Sequence, residues 1–71
     1  MNFYFTGGAL MKTENIQVKI VDGKWGVVLQ GLQEGKTKRA EISVKMRSKE
    51  DAIRYARTCE QRTGGKIVLP I

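Results

Sequence analysis

Residues 48–65 read Ser48-Lys49-Glu50-Asp51-Ala52-Ile53-Arg54-Tyr55-Ala56-Arg57-Thr58-Cys59-Glu60-Gln61-Arg62-Thr63-Gly64-Gly65. This is one amphipathic helix written out with both of its ends. Ser48 followed by Asp51 is a capping-box-like start, and Gly64-Gly65 supplies a left-handed stop. Ala52, Tyr55, Ala56, Cys59 and Thr63 recur at three- and four-residue spacing, with Ile53 widening the stripe. Two alanines in the stripe let the helix lie close to whatever it covers. Glu50 and Asp51 in the first turn and Arg62 in the last suit the helix dipole.

Outward from the helix the period changes to two. Ile16, Val18 and Ile20 share one face of a strand, with Gln17 and Lys19 on the other. Asp22-Gly23 is a tight-hairpin signal. A second strand follows, with Trp25, Val27 and Leu29 on one face and Gly26, Val28 and Gln30 on the other. The stretch from Gly31 to Lys38 reads as a longer hairpin loop. A third strand runs from Arg39 to Met46, its Ala40, Ile42, Val44 and Met46 inward and its Glu41, Ser43 and Lys45 outward. After the helix, Lys66-Ile67-Val68-Leu69 forms a last short strand closed by Pro70. The expected architecture is therefore α+β in the order β-β-β-α-β, an antiparallel sheet with one helix packed across one face. Trp25 is expected in the shared interior against the alanine stripe, and the opposite face is expected wet and cationic.

Seventy-one residues make one small domain, expected over residues 11–71. A chain of this size buries only roughly 60% of its unfolded surface. Its core yields about 3–5 kcal/mol, which keeps oligomerisation in play. Residues 1–10 carry no charge, whereas every charged residue lies from Lys12 onward. That break predicts a disordered leader or tail, and Gly7-Gly8 is encodable as a ribosome-binding run ahead of a natural start at Met11. The alternative is an N-terminal strand docked through Phe3 and Phe5.

One cysteine and no histidine exclude an internal disulfide and a zinc site, and remove the commonest general base. The same count fits a reducing, cytoplasmic setting. No apolar run approaches the ~18 residues of a membrane span, so no membrane partner is expected. No carboxylates are spaced as an acid-base pair; Asp51 serves the helix start and Asp22 the turn. Cys59 falls in the apolar stripe as a small hydrophobe. Gly64-Gly65-Lys66 follows a helix and precedes a strand, the reverse of a phosphate-binding loop. Neither an enzyme nor a small-molecule cofactor is expected.

Charge is the one feature with functional content. Thirteen Lys and Arg against seven Asp and Glu give +6, an excess that favours phosphate backbones or other acidic partners. Lys19, Lys45 and Arg47 fall on the outward sheet face by alternation, with Lys36, Lys38 and Arg39 in or beside the second hairpin loop. These six are the candidate nucleic-acid contacts. Arg54, Arg57 and Arg62 lie on the exposed side of the helix and spread the charge. The competing reading is a protein-interaction or homodimerisation module, using an exposed Val28 or a free strand edge.

Lys24-Trp25-Gly26-Val27, Lys38-Arg39-Ala40, Ser48-Lys49-Glu50-Asp51-Ala52, Ala56 and Gly64-Gly65-Lys66-Ile67-Val68 together resemble a small bacterial family, the domain of unknown function 2188. The likeness runs from about Ile16 to Leu69. It implies a small cytoplasmic bacterial or phage-borne protein and transfers no site residues. A weaker similarity is to the arm-type DNA-binding domains of integrases, which share a three-stranded sheet, one helix, an early tryptophan and a basic hairpin. The strand after Gly65 departs from that plan.

Overall fold

The computed structural model describes residues 3–6, 9–33 and 39–71. Its elements are β1 (Phe3–Thr6), β2 (Ala9–Val21), β3 (Lys24–Gln33), β4 (Arg39–Lys45), α1 (Lys49–Thr63) and β5 (Lys66–Ile67). The α+β class and the β-β-β-α-β run are as expected, with one further strand in front. Residues 3–6 pair antiparallel with residues 9–12, Thr6 opposite Ala9 and Phe3 opposite Lys12. Where a structureless tail was expected over residues 1–10, these segments are strands. Phe-Tyr-Phe-Thr is a run of strong strand formers, and the absence of charge does not oppose pairing.

The helix ends as its sequence dictates. Ser48 is extended (φ −149°, ψ 168°), and its hydroxyl accepts a hydrogen bond from the Asp51 amide at 3.2 Å. Gly64 is left-handed (φ 77°), and its amide donates to the Glu60 carbonyl. Gly65 serves a different purpose: a Cβ there would stand 2.8 Å from the Thr13 methyl, so β2 and the helix exit meet on a bare backbone. The Asp22-Gly23 turn has positive φ at both residues, 52° and 78°, the combination a two-residue hairpin requires.

Five strands form one sheet in the order β1-β2-β3-β4, with β5 parallel to β2 on the edge away from β3. Ile16 lies opposite Ile67, and the Ile16 carbonyl accepts from the Val68 amide. The chain leaves β4 on one side of the sheet and must reach the far edge of β2 running in the same direction. That parallel crossover carries α1 over the intervening strands, and the helix rests chiefly on β2 and β3. Ile16, Val18, Val27 and Leu29 from the sheet close on Ala52, Ala56 and Cys59, all buried. Trp25 is half-buried at the rim of this core rather than at its centre. Its position near the start of β3 places it under the first turn of the helix, where Lys49 Nζ covers the ring at 5.4 Å.

The opposite face departs from expectation. Val28 is only 2% exposed, Gly26 is buried, and Gln17, the register partner of Val28, has its Oε1 shut away from solvent. The sheet is also curved. A register shift between Thr13 and Asn15 places an extra residue, Glu14, in β2. Gly31, opposite Thr13, is pressed so close to the Lys12 carbonyl that a Cβ would collide with it. The bend swings the first hairpin across the sheet until β1 approaches β4. The β4 side of that face stays wet, with Glu41, Ser43 and Lys45 exposed, and so does Lys19 near the turn end.

Candidate nucleic-acid interface

Lys19 on β2 pairs with Gly26 on β3, and Gly26 pairs in turn with Lys45 on β4. Residues directly opposite in antiparallel strands point the same way. The two lysines therefore flank a position that has no side chain. Neighbouring strands lie about 4.8 Å apart, so their Cα atoms stand about 10 Å apart across the glycine. Gly26 has its own reason to be bare, since a Cβ would press on the Val44 carbonyl at 3.1 Å and on the Val21 side chain at 3.3 Å.

Arg47 extends the row past the end of β4, in the bend that leads to Ser48. Lys45, Met46 and Arg47 form a ridge between two open grooves. One, of about 480 Å³, is completed by Gly23, Lys24 and Trp25. The other, of about 550 Å³, is completed by Asp51, Arg54, Tyr55 and Thr58 of the helix. The end of the sheet nearest the Asp22-Gly23 turn is thus cationic. Lys19 and Arg47 make no ion pair with the described residues, while Lys45 lies 3.4 Å from the Asp22 carboxylate. That contact is exposed on both sides and holds the ammonium only loosely.

Among the described members of the expected six, Arg39 stands apart from Lys19, Lys45 and Arg47. Arg39 stands at the other end of β4, where its guanidinium donates to Glu14 at 2.8 Å. The β2 bulge that bends the sheet also presents the carboxylate that neutralises this arginine. Along the strand, Arg39 and Lys45 are separated by about 20 Å at the usual rise. Lys36 and Lys38 lie outside the described residues. Lys19, Lys45 and Arg47 remain together. Lys24 and Lys49, absent from the expected set, join them around Trp25; Lys24 is the first residue of β3, one step beyond the hairpin turn. The signal available for Lys24 in the sequence was its place beside a turn tip next to an aromatic.

No cluster of three or more His, Cys, Asp or Glu side chains able to hold a metal occurs among the described residues. No helix among them is long and apolar enough to cross a membrane. Comparison with protein-family models, with curated proteins and with solved structures finds no match for this chain.

Proposed function

We propose that this chain is a non-enzymatic, cytoplasmic binding module that holds the phosphate backbone of DNA or RNA at the turn end of its sheet. The observation that carries this reading is the row Lys19–Gly26–Lys45 continued by Arg47. Ammonium groups brought into one row across Gly26 can both reach a phosphate-bearing strand laid over that end of the sheet. Lys24 adds charge from the turn side, and an arginine at the end of the row offers paired donors to a phosphate. The net charge of +6 adds long-range attraction. Contacts of this type position a duplex or a single strand without reading its bases.

The test is fluorescence anisotropy with duplex and single-stranded oligonucleotides across a salt series. Affinity is expected to fall steeply with salt. Lys45→Glu combined with Arg47→Glu should weaken binding to every sequence alike. The slope of log K against log salt should fall by about 2, while circular dichroism stays unchanged. Undiminished binding by that double variant, or no binding at low salt by the parent, overturns the reading.

A further inference from the structure

The two long edges of the sheet are not equivalent. On the outer edge of β2, β1 occupies residues 9–12 and β5 occupies residues 15–16. Only the short stretch beyond is left, with Lys19 at its middle. Antiparallel self-pairing there with Val18 opposite Ile20 would set Lys19 against Lys19. The outer edge of β4, Arg39–Lys45, has no hydrogen-bonded partner strand among the described residues, although β1 comes near β4.

The orientation of the β4 backbone follows from one bond. The Met46 amide donates to the Trp25 carbonyl at 2.7 Å, so the even-numbered residues of this segment turn their polar groups toward β3. Arg39, Glu41, Ser43 and Lys45 therefore present N–H and C=O groups outward, and all four are exposed. The helix rests chiefly on β2 and β3, which leaves Ala40, Ile42 and Val44 only half-buried on the helix side. An unpaired edge beside half-covered apolar side chains is a template for another strand.

We propose that the occupant is a second copy of this chain, its β4 antiparallel to the first about a two-fold axis at Ser43. This rests on edge geometry and not on the phosphate-binding reading, with which it shares Lys45. Charge complementarity selects the register. Centring on Glu41 opposes two glutamates, and centring on Ile42 sets Arg39 against the partner's Lys45 twice. Centring on Ser43 places Glu41 opposite the partner's Lys45 and Lys45 opposite the partner's Glu41, while Arg39 meets only Arg47 of the partner subunit, which lies in the bend beyond the strand. It also sets Ile42 against the partner's Val44 on the helix side. The outward amide of each Ser43 then donates to the carbonyl of the other, the pattern of a hydrogen-bonded antiparallel pair. The closed two-fold leaves the pairing self-limited to two chains.

Sedimentation analysis of the full chain, without nucleic acid, is expected to show a dimer. Ser43→Pro removes an amide that points away from β3 and bonds to no described residue, a position where an edge strand tolerates proline; it should give a monomer with unchanged helical circular dichroism. Ser43→Cys tests the register without burdening the fold. The two Cα atoms should stand about 5.5 Å apart, within disulfide reach, so mild oxidation should yield a covalent dimer. Glu41→Cys should not cross-link, because its copies lie about 14 Å apart along the strands. A parent chain that sediments as a monomer, or a Ser43→Cys variant that stays uncross-linked, overturns the proposal.

Discussion

On one side of the sheet, Ile16, Val18, Val27 and Leu29 are covered by Ala52, Ala56 and Cys59 of a separate element. On the other side, Val28 and the Oε1 of Gln17 are just as dry, yet no helix of the described residues lies there. The first face is closed by a layer laid across it; on the second the sheet is irregular at Glu14 and β1 comes near β4. A helix brings an entire stripe and dries a broad area. A bend dries only the strip it reaches, so Glu41, Ser43 and Lys45 remain in solvent while Val28 does not. Cationic and edge functions on the second face are thereby confined to its β4 side and its turn end.

That contrast can be broken at its strongest point first. Leu29 is fully buried beneath the helix. Leu29→Ala should cost about 3 kcal/mol in chemical denaturation, through lost transfer energy and a residual cavity. A loss no larger than that of a surface substitution would mean the helix does not seal this face. Val28→Thr keeps the volume but buries a hydroxyl against the bend. It should cost about 2 kcal/mol if the second face is dry, and almost nothing if water reaches it. Ser48→Ala removes the hydroxyl that accepts from the Asp51 amide. Thermal unfolding should report a loss of about 1 kcal/mol, with the second face untouched.

Much of this fold was legible from short stretches of sequence. The spacing from Ser48 to Gly65 specified the helix and both caps, and Asp22-Gly23 specified its turn. Alternation from Arg39 to Lys45 sorted β4 into exposed and half-buried residues as the structure has them. The same alternation put Val28 and Gln17 on the side away from the helix, which is correct, and took that side to be wet, which holds for Lys19, Glu41, Ser43 and Lys45 but not for Val28. Exposure depended on what the first hairpin does, and nothing in the period of β3 records it. The candidate site shows the same limit. Lys19 and Lys45 came together because both flank Gly26. Arg39 was drawn off by Glu14, a residue 25 positions away in the chain.

The sequence by itself determined most of the elements after the first: where the helix starts and stops, where the Asp22-Gly23 turn falls, and which side chains share a face. Caps, turns and periodicity act between residues a few positions apart, so they are written locally. Only the tertiary structure decided the curl at Glu14, the return of β5 to the edge of β2, the dry seat of Val28 and the free edge of β4. These depend on which distant strands meet and in what register. Such choices are settled by burial and hydrogen bonding summed over the whole sheet, and no single stretch of the chain contains that sum.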